Sequence, residues 1–195
     1  MFSRCKGGYG EVMSMDETVK NWVILFARTG LEEKLAQILR EKLSTDEYLP
    51  FVPAKEMSYR RQGVTRRVRK PLFPGYVFVQ TGIETLLIAD KLAMDLLNVK
   101  GIYSILHYGN DKNDVVVREE ERLYWERLFD ADFCITGSVG FILGDTVHVT
   151  SGPLVGLEGR IKKINRHRCM AVVEMEMMGA TRDVLLMLEI TEKVK

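Results

Sequence analysis

Near residue 130 the hydrophobic pattern of this chain changes period, and the change divides it into two differently built units. Before it, short apolar runs alternate with stretches whose apolar residues recur at helical spacing, the signature of interleaved strands and helices. After it, from Leu143 on, strands of period two are closed by Gly144, Gly152, Gly156, Gly159 and Gly179. Thr146, His148 and Thr150 alternate with Val147 and Val149, and Ala171, Val173, Met175 and Met177 alternate with Val172, Glu174 and Glu176. Such a run of short strands and frequent turns predicts a small barrel. Between the two, residues 131–141 lose periodicity and read as a linker. A length of 195 residues accommodates this division, since domains run to roughly 100–200 residues.

In the first unit, Asn21–Ala27 (NWVILFA) reads as a buried strand. Thr29 and Glu32 fit a capping box in which both side chains satisfy free amide donors. Leu31, Leu35, Ile38 and Leu39 then give one face of a helix that ends about Leu43. The segment from Tyr48 to Tyr59 reads as extended, and residues 55–70 as a hairpin turning at Gln62-Gly63. Residues 71–80 (PLFPGYVFVQ) return as a strand, 84–97 form a second helix and 118–129 a third. Residues 1–20 show no period and read as an N-terminal extension without a fold of its own. Lys6-Gly7-Gly8 back-translates to a ribosome-binding sequence ahead of Met13 and Met15, which places an alternative translation start near residues 12–15.

Chemistry is sparse. His107, His148 and His167 have no partner at helical spacing, and Cys5, Cys134 and Cys169 lie far apart, so neither a metal site nor a disulfide scaffold is expected. No nucleophile elbow, phosphate loop or zinc-protease motif is present, and Gly7-Gly8-Tyr9-Gly10 has no strand before it. The reading is a non-enzyme without cofactors. With no apolar run of ~18 residues and no secretory pattern, it is expected in the cytoplasm.

Charge is more informative than its sum. The 28 basic and 27 acidic residues give a net charge of +1. Residues 55–70, however, hold Lys55, Arg60, Arg61, Arg66, Arg67, Arg69 and Lys70 against Glu56 alone, a net of +6. Residues 158–168 hold Arg160, Lys162, Lys163, Arg166 and Arg168 against Glu158, a net of +4. Residues 111–132 offset them with eight acids and four bases. Two compact basic patches suit phosphate contacts, although a patch of this size alone binds weakly and without specificity. Phe73, Tyr76 and Phe78 read first as core; a strand kinked at Pro74-Gly75 can also leave a pocket for a partner helix.

Taken together, the Asn21-Trp22 strand, the Thr29-Gly30 helix start, Phe51-Val52-Pro53 and the run Lys70-Pro-Leu-Phe-Pro-Gly-Tyr-Val-Phe-Val79 resemble the N-terminal (NGN) domain of NusG-type transcription elongation factors. Gly144–Arg160 (GDTVHVTSGPLVGLEGR) resembles the KOW motif of the same family. The resemblance implies an α+β protein: an α/β sandwich over 21–130, with a mainly antiparallel sheet and flanking helices, and an SH3-like β-barrel over 142–195. It also implies docking onto the clamp helices of the largest RNA polymerase subunit, with Phe73 and Tyr76 in the matching positions and Trp22 beside them on the neighbouring first strand. Arg60, Arg61, Arg66, Arg67 and Arg69 match a hairpin that lies near upstream or non-template DNA. In the family the barrel binds termination factor Rho or a ribosomal small-subunit protein, or, in some members, RNA.

The match departs at the barrel. Gly152-Pro153-Leu154 has leucine where housekeeping members commonly have phenylalanine, the Asn165–Arg168 loop is unusually basic, and the last hairpin is rich in methionine. These features resemble LoaP, the paralogues that antiterminate long operons after recognising a leader RNA hairpin. The expected RNA-binding set is therefore Lys162, Lys163, Arg166, His167, Arg168 and Arg182. A housekeeping elongation factor with a protein-binding barrel, and a ribosomal or structural RNA-binding protein, are the alternatives; the first unit argues against the second of these.

Overall fold

The computed structural model describes residues 20–61 and 64–194. The expected extension, apart from Lys20, and the expected turn at Gln62-Gly63 lie outside the described residues. The first unit is built on a four-stranded antiparallel sheet. Its strands are β1 (Asn21–Ala27), β2 (Tyr48–Phe51), β5 (Tyr76–Thr81) and β6 (Ile102–Ile105), in the order β2-β5-β1-β6. β1 is apolar almost throughout because both faces of the sheet are covered. Val23 and Leu25 point to helices α1 (Glu32–Lys42) and α2 (Thr85–Leu96), sharing a core with Leu35, Leu39, Ile88 and Leu92. Trp22 and Ile24 point the other way, into a second core with Phe51, Phe78 and Trp125 of α3 (Glu119–Leu128).

Between β2 and β5 the chain leaves the sheet as a long ribbon, β3 (Ala54–Arg61) and β4 (Val64–Pro71), as the basic hairpin was expected to do. The segment expected as a linker is more ordered than its sequence suggests. Cys134–Ile135 form β7, which pairs parallel with Ala54 and Lys55, and Ser138–Leu143 form β8, the first strand of the barrel. Small residues there serve close packing rather than slack: a Cβ on Gly140 would lie 2.4 Å from the His148 carbonyl.

The barrel strands β8, β9 (Thr146–Ser151), β10 (Ile161–Asn165), β11 (Met170–Met177) and β12 (Ala180–Val194) are ordered β10-β11-β12-β8-β9. As the alternation predicted, Ala171, Val173, Met175 and Met177 are all buried. Their cluster is continuous with Trp22, Phe73 and Trp125, so the two units share one apolar core. β12 pairs antiparallel with β11 and parallel with β8.

The capping box forms only in part. Glu32 accepts from the Gly30 amide at 2.9 Å as expected, but Thr29 makes no cap and Leu31 occupies the N-cap position. The second oxygen of Glu32 instead accepts from the Gly75 amide at 2.6 Å, tying the start of α1 to the turn before β5. Gly75 has φ +87°, and a Cβ there would lie 3.0 Å from the Thr29 hydroxyl oxygen. A bulkier residue would displace the turn that aims Tyr76.

Candidate docking and nucleic-acid interfaces

The three residues expected to dock a partner do not lie at one level. Trp22 is fully buried, edge-on to Phe51 at 5.2 Å, with its indole N–H donating to Gln80 Oε1 at 3.3 Å. Phe73 is 5% exposed and packs edge-on against Trp125 at 5.3 Å. Both support the surface from beneath and offer little of themselves to a partner. The Pro74-Gly75 turn re-aims the chain, so Tyr76 emerges half-buried beside Phe26, ring centroids 5.6 Å apart. Phe26 in turn lies 5.4 Å from Tyr103. Phe26 is 39% and Tyr103 61% exposed, so Phe26, Tyr76 and Tyr103 form the accessible aromatic surface. Sequence reasoning missed two of the three. Period two does put Phe26 on the face of Trp22 and Ile24, but its exposure depends on the registers with β5 and β6.

The barrel reaches this surface. The Met178 amide at the β11–β12 turn donates to Glu121 Oε1 at 2.8 Å, and Glu121 Oε2 accepts from the Tyr108 hydroxyl. Arg160 lies over the Tyr124 ring at 5.0 Å. Arg182 lies over the Tyr76 ring at 5.6 Å, with Nη2 3.4 Å from the hydroxyl oxygen.

Arg182 therefore does not join the other residues expected to bind RNA. Met187 pairs with Met170 beside the basic turn, and Arg182 pairs with Met175, five residues further along β12 or ~17 Å at strand rise. Lys162 is also engaged, bonded to Asp183 at 2.7 Å and Glu174 at 2.5 Å. These two hydrogen bonds, Asp183 first, raise its pKa above the ordinary lysine value. Lys163, Arg166, His167 and Arg168 remain exposed, with no ion pair among the described residues. The last three form a single 3-10 turn. Asn165 Oδ1 fixes it by accepting from the Arg168 amide at 3.0 Å, and Cys169 leaves it with φ +51°.

The basic ribbon is likewise partly engaged. Arg67 pairs with Glu56 at 3.5 Å, and Arg69 with Asp132 at 3.0 Å and Asp130 at 3.8 Å. Arg66 is exposed; Arg60 and Arg61 lie in β3, and their side chains fall outside the described set.

Comparison with known proteins resolves the ancestry. The family described as "Transcription termination factor nusG" matches residues 20–123, and the KOW motif matches 143–176. The chain belongs to the NusG family. The transcription termination/antitermination protein NusG of Vibrio vulnificus is 24% identical over 180 residues, spanning 90% of this chain and 96% of its own. That of Buchnera aphidicola is 26% identical over 179 residues, 89% and 96% of the two chains. A solved structure described as "Domain interaction in Thermotoga maritima NusG" superimposes with a TM-score of 0.52 at 22% identity, covering 88% of this chain and 94% of that one.

The NusG-type α+β architecture, an NGN domain followed by a KOW barrel, is thus the architecture of this chain. Among the described residues no helix is long and apolar enough to cross a membrane. Within the KOW turn, Leu154 is fully buried and its amide donates to Ser138 Oγ at 3.1 Å. The position after the proline therefore fills the barrel and presents no side chain, while Val155 beside it is 54% exposed.

Proposed function

We propose that this NusG-family chain is a specialised cytoplasmic antitermination factor of the LoaP kind. Its NGN domain docks on the clamp helices of the largest RNA polymerase subunit. Its KOW barrel holds a leader RNA hairpin, and the basic ribbon faces upstream or non-template DNA. The observation that supports this most is the turn at Arg166–Arg168, where three side chains and Lys163 stand exposed on a hydrogen-bonded scaffold. A fixed cationic turn matches the shape-dependent recognition of structured RNA better than a flexible basic tail.

The RNA reading is tested by titrating the full-length protein with a leader hairpin and a scrambled RNA. Combined replacement of Lys163, Arg166 and Arg168 by glutamine should reduce the slope of log affinity against log salt by about 2, from roughly 0.7 per lost phosphate contact. It should also abolish preference for the leader. Equal binding of both RNAs by the native protein would sink the reading.

For polymerase docking, Tyr76→Ser with Phe26→Ser should weaken binding at least about 30-fold, since central aromatics dominate such interfaces. Phe73→Ser is the wrong probe, because it damages the core. Unchanged affinity of the double variant in co-sedimentation would remove the aromatic surface as the site.

The near full-length relatives named for termination and antitermination favour a second reading, a general elongation factor whose barrel binds Rho or a ribosomal protein. Transcription through a terminator in vitro separates the two. A specialised factor needs the leader in the transcript; a general one acts equally without it.

A further inference from the structure

Helix α2 is apolar on more sides than the fold covers. Ile88 and Leu92 face the core and are fully buried. Leu86, Leu87, Met94 and Leu97 are nevertheless 91%, 58%, 70% and 80% exposed. A helix that is apolar all round is normally buried all round. The exposed face follows a seam: Leu87, Asp90, Met94 and Leu97 recur at i, i+3, i+7 and i+10, the spacing with which one helix meets another. Beside the seam a groove of about 390 Å³ runs between α2 and β6, lined by Ala89, Ala93, Ile105 and Val115. Asp90 borders it from the helix and Lys112 from the loop before Val115, and neither forms an ion pair among the described residues.

The strand beside this groove is open as well. β6 forms one edge of its sheet. The Leu106 amide donates to the Ile24 carbonyl, so by alternation the backbone groups of Ser104 also face β1, and those of Tyr103 and Ile105 face outward. Edge strands are ordinarily guarded by proline or charge. β2, at the other edge, carries Pro50; β6 (IYSI) carries neither guard.

We propose that this face pairs with a second copy of the chain about a two-fold axis. Antiparallel pairing of β6 with its copy joins two four-stranded sheets into one of eight strands and brings the two α2 seams together. The outward backbone groups set the register: Tyr103 of each copy exchanges its hydrogen bonds with Ile105 of the other, and Ser104 lies opposite its own copy. A two-fold interface must be self-complementary, residue i meeting j and j meeting i. The groove meets that condition, because its lining holds one acid and one base, Asp90 and Lys112, which are unpaired within the chain and meet crosswise in the pair. A groove made for a different protein needs no such symmetry. The four exposed side chains of α2 supply a large share of the ~800 Å² that each partner of a stable interface buries, and the groove and strand edge supply the remainder.

Sedimentation equilibrium of the full-length protein between about 1 µM and about 100 µM should show monomers giving way to dimers. Met94→Glu with Leu97→Glu sets like charges against each other across the axis and should weaken dimers at least about 100-fold, leaving monomers throughout. Asp90→Lys should weaken dimers at least about 10-fold, and Asp90→Lys combined with Lys112→Asp should restore them to within about 3-fold of native. Native protein that stays monomeric at about 100 µM would overturn the proposal and leave the face to a different protein. Dimers that survive the glutamate pair, or a charge exchange that restores nothing, would overturn it by placing the contact elsewhere. Melting curves check that each variant folds, and the exposed Asp90→Lys keeps the test open should the glutamate pair not fold.

Discussion

Replacing Trp125 with alanine should lower the unfolding free energy by about 3–5 kcal/mol, the usual cost of emptying a fully buried tryptophan site. Trp125 is 0% exposed, edge-on to Phe73 at 5.3 Å and stacked with Phe129 at 5.8 Å. Its cluster continues into Met175 and Met177 of the barrel. The expected signature is therefore more than a lower midpoint. Native protein should unfold in one denaturant transition seen alike by tryptophan fluorescence and circular dichroism, and the variant should separate it into two. A native protein that already unfolds in two steps, with only the first moved by the substitution, would show that the shared core does not couple the domains. Because Trp125 lies beneath Phe73, the variant should also lose order at the Pro74-Gly75 turn and hence at Tyr76.

A comparable loss, about 2–4 kcal/mol, is expected for Glu32→Ala. Glu32 is 4% exposed, and its two oxygens hold the Gly30 and Gly75 amides at 2.9 and 2.6 Å. Removing them strands a buried donor at Gly75. Burial works to raise the carboxyl pKa, but the backbone amides of Glu32, Gly30 and Gly75 together outweigh it and hold the pKa below the ordinary 4.5. A depressed value in the fold means that the carboxylate stabilises fully above about pH 4.5. That contribution disappears as pH falls through the lower folded value. Glu32→Gln should therefore flatten the acid side of the stability profile, while the native protein drops steeply there. Parallel profiles between pH 5 and 3 would show that the carboxylate charge is not what holds the turn.

What the sequence disclosed, and what it withheld, follows from how local each signal is. The alternation of Ala171, Val173, Met175 and Met177 is a property of eight consecutive residues, and it predicts their burial correctly. The Phe-Pro-Gly-Tyr turn is equally local. Phe26 is different: its role depends on Tyr76 and Tyr103, fifty and more residues away, and on registers that no local pattern encodes. The basic ribbon shows the same limit. Arg69 counts toward a +6 patch in the sequence, yet its partners Asp130 and Asp132 lie sixty residues downstream. Lys162 is neutralised through strand neighbours, and Arg182 shares a strand with Met187 but lies five residues from it, near the start of that strand and away from the basic turn. Composition identified where positive charge is dense; only pairing shows which of it is available.

The parallel pairing of β8 with β12 imposes an order on the birth of the molecule. Ser138 meets Leu188, and Leu143 meets Val194, so the barrel's first strand is synthesised about fifty residues before its partner. Until then β8 and β9 form an incomplete edge, and a contact so distant in sequence is slow to close. The NGN sheet has all four of its strands by Ile105 and can form while the barrel is still being translated. A nascent chain thus carries the sheet that presents the docking surface while the face around Trp22, Phe73 and Trp125 still awaits the barrel residues that complete its core, before the cationic turn at Arg166–Arg168 is locked into a closed barrel.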